Sequence, residues 1–484
     1  MFIPKELKQI ASELQEMSGA AILVGGAVRD HFLKLPTKDY DVEVFGISSI
    51  NELENVLSQY GKVSSVGKSF GILKVDIAGE EYDFSFPRIE TNTGDKHTDI
   101  EVKMAPFITF KEASKRRDLT INSMGYDIFN KTFLDPFNGQ ESIKNKELSI
   151  VDNKTFKEDP LRIYRLIQFA ARFNFNISGE TKELARKMIV DGTLDHLPKE
   201  RVFGELSKLM LKSKKPSIGW ELMKDLGIIE DYFPELQDIM RVIQSPIWHP
   251  EGDVWVHTMM CVDEMAKEIS SRDDLSTEDK LVFMFGILAH DLGKATHTTI
   301  EEDGRIRSIG HEEAGIEPTK TMMHRITGNK SIIKRMLPLI EFHVRPSTFF
   351  VNNAKEKAIK RLSMEVNIKD LVTFAKVDNF GRTTEAAKQR SYPAGEWLLS
   401  EAEKIGVKES APKPLVQGRD LIKLGIKPSG EFGIILAELF EAQIEGEFST
   451  LEDGLKYLKK EIKKEIPSLL EKEEDIIENK NKLY

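Results

Sequence analysis

A chain of 484 residues is too long for one ordinary hydrophobic core and predicts three or four domains. Its 40% hydrophobic and 31% charged residues fit a soluble globular enzyme and exclude a disordered chain, and no apolar run approaches the roughly 20 residues of a membrane span. The net charge of −10 argues on its face against nucleic acid as a partner, yet basic residues gather at Lys111, Lys115, Arg116 and Arg117, at Lys208, Lys212, Lys214 and Lys215, and at Lys355, Lys357, Lys360 and Arg361.

The first residues lack the basic-then-apolar plan of a secretory signal, so cytoplasm is the expected compartment. A short amphipathic helix is predicted from Pro4 to Met17. An apolar strand, Ala21 to Val24, runs into Gly25-Gly26, and further strands are predicted at Tyr40 to Phe45, Ile72 to Ile77 and Glu81 to Phe86. A strand feeding a Gly-Gly turn and then a helix lets backbone amides approach a phosphate, because glycine has no Cβ in the way. Residues i and i+2 of a strand share a face, so Asp39 and Asp41 stand side by side. Two adjacent carboxylates repel unless a cation sits between them, which is the ligand pattern of two-metal phosphoryl transfer with Mg²⁺. Asp83 in the later strand and Glu43 on the Asp39/Asp41 face compete for the role of third carboxylate.

Here the chain resembles the tRNA nucleotidyltransferase and bacterial poly(A) polymerase family, the class II branch of the polymerase-β-like superfamily. The resemblance begins with Gly25-Gly26-x-Val28-Arg29-Asp30 and Asp39-x-Asp41. It continues through Arg116-Arg117-Asp118-Leu119-Thr120-Ile121-Asn122, Leu134-Asp135-Pro136-Phe137-Asn138-Gly139 and Glu158-Asp159-Pro160-Leu161-Arg162-Ile163-Tyr164-Arg165. One departure follows the carboxylates, where Val42-Glu43-Val44-Phe45 replaces a small, Thr-containing turn. The resemblance implies Arg29, Arg116, Arg117 and Asn122 at the triphosphate or sugar, with Asp118 orienting the arginines.

The Glu158 block is predicted to open a helix, with Asp159 and Arg162 one above the other at i and i+3 and Arg165 extending the row. A guanidinium donates and a carboxylate accepts, so the pair matches the Watson–Crick edge of C or A and mismatches G and U. The same spacing also suits an ion pair at a helix N-terminus. The resemblance assigns the base-reading role to Asp159 and Arg162. Glu200 to Leu206 reads as scaffold.

Helical periodicity dominates from about Asp159 onward. Histidines then fall in a telling order: His257 at the start of a helix, His290-Asp291 followed by Leu292-Gly293-Lys294 at the end of an apolar one, then His311, His343 and Asp378. This resembles the HD superfamily of metal-dependent phosphohydrolases. The resemblance implies that His257, His290, Asp291 and Asp378 hold a divalent transition metal or Mg²⁺. It leaves His311 and His343 for a second metal or a phosphate, and Lys294 for a substrate phosphate. The single cysteine, Cys261, excludes an internal disulfide and leaves no cysteine-based zinc site. Toward the end, Gln417 to Gly433 reads as helix, turn, helix, and Leu451 to Lys482 as a charged helical tail.

The expected architecture is therefore α+β and multidomain. A polymerase-β-like head, a small mixed sheet with helices, spans 1–150. All-α domains follow: a nucleobase-recognition and tRNA-binding neck over 151–240, an HD domain over 241–390 and a tRNA-binding tail over 391–484. The expected activity is template-independent addition of CCA to tRNA from CTP and ATP, away from any membrane. Poly(A) addition and CC-only or A-only addition share these motifs, and a nucleotide-signal phosphohydrolase is the more distant reading. The segment from about Arg88 to Pro106 is the expected flexible element governing the change from C to A. The sequence leaves the oligomeric state open.

Overall fold

Apolar and alternating segments between Ala20 and Leu134 build a seven-stranded mixed sheet. The strands are β1 (Ala20–Val24), β2 (Tyr40–Phe45), β3 (Lys62–Ser64), β4 (Ile72–Ile77) and β5 (Glu80–Ser85). A separate hairpin of β6 (Arg88–Asn92) and β7 (Ile100–Met104) follows, and β8 (Gly125–Asp127) and β9 (Thr132–Leu134) return to the sheet. The sheet order is β3-β4-β5-β2-β1-β8-β9, with β2 and β5 parallel and the other pairs antiparallel. The computed structural model describes residues 1–37, 39–64, 71–92, 100–424, 426, 428 and 430–462.

One face of the sheet is packed. Leu7, Ile10, Ala11 and Leu14 recur at helical spacing along α1 (Lys5–Glu16) and bury their side chains with Leu23, Val42, Val44 and Phe84. Helix α3 (Ile50–Leu57), capped by the Ser49 side chain, adds Leu53, Val56 and Leu57 to this core. Because strand side chains alternate, burying Val42 and Val44 turns Asp41 and Glu43 to the opposite face. Helix α2 (Gly26–Phe32) starts at the second glycine of the pair, with Gly25 as its N-cap.

Beyond the sheet come α4 (Phe110–Ser114), α5 (Gly139–Asn145), α6 (Asn153–Glu158), α7 (Leu161–Phe173), α8 (Gly179–Val190) and α9 (Lys199–Lys212). The expected helix opening at Glu158 is corrected here. Glu158 ends α6, Asp159 is extended at φ −129° and ψ 98°, and α7 begins at Leu161. Pro160 explains the break, since a proline ring disfavours helical geometry in the residue before it.

The chain divides into two contact units, Met1–Gln237 with Ile269–Asp273 and Thr321–Asn329, and Asp238–Glu268 with Asp274–Lys320 and Lys330–Tyr484. In the second, Leu281 to Ala289 are all buried along the helix Thr277–Ala289, which delivers His290 and Asp291 at its end. Toward the C-terminus, Gly418–Lys423 and Gly430–Glu445 pack around Val416, Leu421, Ile435 and Leu439. Residues 425, 427 and 429 of the turn, 93–99 of the expected flexible element and the tail beyond Ile462 lie outside the described residues. No helix among the described residues is long and apolar enough to cross a membrane.

Candidate active site and candidate metal centre

The carboxylates of the first unit are brought together by strand register. Asp41 pairs with Val24 across β1 and stands opposite Asp83 across the parallel β2/β5 pair, so Asp41 and Asp83 share a face. Partial desolvation on the cleft floor, then the Asp83 carboxylate with Asp39 adding, raises the Asp41 pKa above its ordinary value against the pull of Arg117. Three negative groups therefore converge, and Lys74 pairs with Asp83 at 3.2 Å.

Glu43, the rival third carboxylate, is committed elsewhere. It is 1% exposed, and its Oε1 accepts from Arg116 at 2.7 Å and Arg117 at 3.1 Å. The expectation that Asp118 orients those two arginines is corrected by the same contacts. Asp118 instead accepts from Arg165 at 2.7 Å and from the Asn122 amide at 3.0 Å. Burial would raise the Asp118 pKa, but Arg165 and these hydrogen bonds bring it below the ordinary carboxylate value.

Gly25 joins carboxylate and arginine. Its φ of 67° with ψ −126° suits only glycine, and a Cβ there would stand 3.2 Å from the Arg117 guanidinium and 3.9 Å from the Asp41 carboxylate. Arg29 is buried beneath the turn, donating to Asn122 at 2.7 Å and to Asp30 at 2.8 Å. Its guanidinium lies 5.2 Å and 5.1 Å from the ring centroids of Phe169 and Phe173 on α7.

These groups floor a cleft of about 390 Å³. Gly25, Gly26, Arg29, Asp41, Arg116, Arg117, Asn122, Asp159, Arg162 and Arg165 all line it, as do Phe169 and Arg201. The expected Asp159–Arg162 stack is absent. Asp159 pairs with Arg201 at 2.8 Å, while Arg162 donates to the carbonyls of Thr155 at 2.6 Å and Arg116 at 2.7 Å. Arg201 is the residue that sequence reasoning passed over. It comes from α9, 42 positions beyond Asp159, and no local spacing points to it.

The second unit gathers every expected histidine. His257, His290, Asp291, His311, His343 and Asp378 are all buried. His257 Nε2 lies 2.9 Å from Asp378, His290 Nε2 3.3 Å from Asp291, and His311 Nε2 3.3 Å from the other Asp291 oxygen. His343 Nε2 is 3.4 Å from that of His311. Each opposite ring nitrogen is anchored: Nδ1 of His257 to Glu251 at 2.9 Å, of His290 to the Ile287 carbonyl at 2.8 Å, and of His311 and His343 to Ser308 and Ile340 carbonyls at 2.6 Å. Imidazoles held in this way present Nε2 as a ligand.

The donors fit a divalent ion. His290 Nε2 is buried without a hydrogen-bond partner, and the buried Asp291 carboxylate is met by Lys294, His290 and His311 through ion-pair contacts of 2.7–3.3 Å, a concentration of donors that a divalent ion would satisfy. Burial opposes ionisation of the two aspartates, yet His290 and Lys294 beside Asp291, and Arg382 and His257 beside Asp378, hold both well below the ordinary range. Burial first, then His311 and His290, pushes His343 down to about 3. Lys294 reaches Asp291 at 2.7 Å and Gln244 at 2.8 Å on the wall of a cavity of about 230 Å³, which Trp248 and Arg382 also line. Cys261, excluded from metal chemistry by its solitude in the sequence, lies inside the cluster, 3.4 Å from His257 Nε2.

A Gly-Gly turn beside paired carboxylates on a mixed sheet, facing an arginine-lined cleft, defines a polymerase-β-like nucleotidyltransferase head followed by a largely helical remainder. Residues 21–149 match the poly A polymerase head domain, and residues 174–240 match the probable RNA and SrmB-binding site of polymerase A. The multifunctional CCA protein of Pseudoalteromonas atlantica is 33% identical over 385 residues, 78% of this chain and 89% of that one. That of Paraburkholderia phytofirmans is 36% identical over 309 residues, 63% and 70% of the two chains. The Thermotoga maritima CCA-adding enzyme complexed with tRNA shares the fold, with a TM-score of 0.58 at 18% identity over 94% of this chain and 96% of that one. The chain belongs to the CCA-adding enzyme and poly(A) polymerase family of divalent-metal-dependent nucleotidyltransferases.

Proposed function

We propose that the head adds C, C and A to the 3′ end of tRNA, taking CTP and ATP without a template. The observation that carries this reading is Asp41, in register with Asp83, on the lining of an arginine-rich cleft, in a chain whose relatives are CCA proteins. Asp39, Asp41 and Asp83 would hold Mg²⁺, which would supply activation of the tRNA 3′-hydroxyl and neutralisation of triphosphate charge. The 3′-oxygen forms its bond to the α-phosphorus as the bond to the β-phosphate bridging oxygen breaks, and pyrophosphate leaves. Arg116 and Arg117, aimed by Glu43, hold the triphosphate, and the glycines let it approach the backbone. Arg29 and Asp118 fix the Asn122 amide between them for the sugar, and Arg165 is a positioning residue that holds Asp118. Asp159 and Arg162 read the base from separate anchors, the Asp159 carboxylate exchanging Arg201 for the exocyclic amine of C or A.

The buried histidine and aspartate cluster of the second unit favours a second reading beside the first, a metal-dependent HD phosphohydrolase over residues 241–390. His257, His290, Asp291 and Asp378 hold one divalent ion, His311 and His343 face a second ion or a phosphate, and Lys294 receives substrate phosphate. A divalent ion held there would lower the pKa of water and so supply a nucleophile for phosphoester hydrolysis. The neck over 151–240 and the tail over 391–484 provide tRNA contacts, and the compartment is the cytoplasm.

Labelled CTP and ATP, offered separately and together to tRNA transcripts ending before CCA, after C and after CC, test the head. Addition of C, C and a single A is expected, and Asp41→Ala should abolish it while tRNA binding persists. Unlimited A would make the chain a poly(A) polymerase, addition that stops at CC or requires CC a split-function enzyme, and full activity in Asp41→Ala would sink the assignment.

A further inference from the structure

Cys261 is the chain's single cysteine and stands one turn after His257 on the helix Val254–Ser270. It is fully buried, with Sγ 3.4 Å from His257 Nε2 and 3.8 Å from the Asp378 backbone carbonyl. One ligand atom from each of His257, Cys261, His290 and Asp378 lies within 4.8 Å of all the others. His290 Nε2, aimed into this group, is buried with no hydrogen-bond partner. A buried sulfur in such company has more to do than fill space.

The spacings suit a common ion. An ion with metal–sulfur bonds of about 2.3 Å and metal–nitrogen bonds of about 2.0 Å keeps neighbouring ligand atoms about 3–4 Å apart. The observed separations fit that span: 3.4 Å from sulfur to His257 Nε2, 2.9 Å from there to Asp378, and 3.8 Å from Asp378 to His290 Nε2. The backbone confines the sulfur as well. A Cβ on Gly381 would stand 2.2 Å from Sγ, so only glycine lets the end of the Ile368–Phe380 helix, which carries Asp378, close over the thiol.

We propose that Cys261 is a sulfur ligand to the divalent ion held by His257, His290, Asp291 and Asp378, making the centre selective for a thiophilic transition ion such as zinc, cobalt, nickel or iron(II) over magnesium. The proposal rests on the metal centre of the second unit. On loading, the sulfur–metal bond forms as the S–H bond breaks, and the proton passes to solvent. The HD pattern of histidines and aspartates leaves the choice of metal open, and the thiolate closes it.

The full chain, stripped with a chelator and titrated with CoCl₂, provides the test. A sulfur-to-cobalt charge-transfer band is expected in the near ultraviolet. Cys261→Ser should still take up cobalt but lack the band, and its zinc affinity, read by competition with a chromophoric chelator, should fall about tenfold or more. Head-domain CCA incorporation and circular dichroism report whether the variant folds. Should it not, the wild-type spectrum alone decides, because the chain has no other thiol. Cobalt uptake that depends on His290 (lost in His290→Asn) without a sulfur band overturns Cys261 ligation and leaves the histidine centre standing. No His290-dependent uptake overturns both.

Discussion

Two residues on one face of the sheet meet different fates, and their difference is measurable. Glu43 and Asp83 are both acidic and both close to Asp41, but Glu43 is buried under two guanidinium groups whereas Asp83 faces Asp41 in register. Glu43→Gln should destabilise the head by about 2–3 kcal/mol, toward the low end for a broken buried ion pair because Arg116 and Arg117 retain some solvent. It should raise the KM for CTP and leave the magnesium concentration for half-maximal activity unchanged. Asp83→Asn should do the reverse, raising the magnesium requirement with little change in thermal stability; an unchanged requirement would return the third-ligand role to Glu43. Asp118 makes a pH prediction. Its folded pKa is depressed below the unfolded value of about 3.9, so its stabilisation is complete above that value and disappears as pH falls through the depressed one. Asp118→Asn, which leaves Arg165 without its charge partner, should lower neutral-pH stability and flatten the acid limb of a stability-versus-pH curve. A mutant curve parallel to wild type down to pH 3 would show that Asp118 is not the titrating group.

At the scale of elements, the turn between β1 and α2 is where backbone and chemistry are least separable. Gly25→Ala imposes a side chain on a left-handed backbone and presses it against Arg117, with an expected cost of about 1–3 kcal/mol. The displaced guanidinium should lower kcat by about a hundredfold, read in single-turnover incorporation of CTP. Retained kcat would mean that the turn tolerates a Cβ and that Arg117 is not held by it. Such a turn was legible from residue order alone, as were the α1 helix, β1, β2, β4 and the apolar helix delivering His290, because each is set by local periodicity and a clear boundary. The Asp159–Arg162 face was not legible as drawn, since Pro160 breaks the helix between them and Arg201 takes the carboxylate from a distant helix. Long-range partners escape spacing arguments in general. Lys357 and Arg361 read as a basic patch, yet they pair with Glu445 and Glu441 of the Gly430–Glu445 helix. Cys261 was set aside as a lone cysteine although His257 stands one turn before it, because His290 and Asp378, which complete the group, lie far away in sequence.

Across the whole molecule, a net charge of −10 coexists with a cleft lined by six arginines, so charge placement and not charge balance decides where phosphate is welcome. The same separation holds for chemistry. Asp41 and the arginine cleft lie in one contact unit, and the histidine centre lies in the other. Each centre draws its orienting groups from its own unit: Glu43, Asn122 and Asp118 in one, Glu251, Lys294 and Arg382 in the other. Among the described residues, none of the hydrogen bonds named for one centre involves a residue of the other. Asp41→Ala should therefore abolish CCA incorporation while cleavage of bis(p-nitrophenyl) phosphate by the transition-metal-loaded chain continues at the wild-type rate. His290→Asn should abolish that cleavage, with CTP incorporation kept within about twofold of wild type, the small change expected between independent sites. A parallel loss of both activities in His290→Asn, with circular dichroism unchanged, would mean that the two centres act as one.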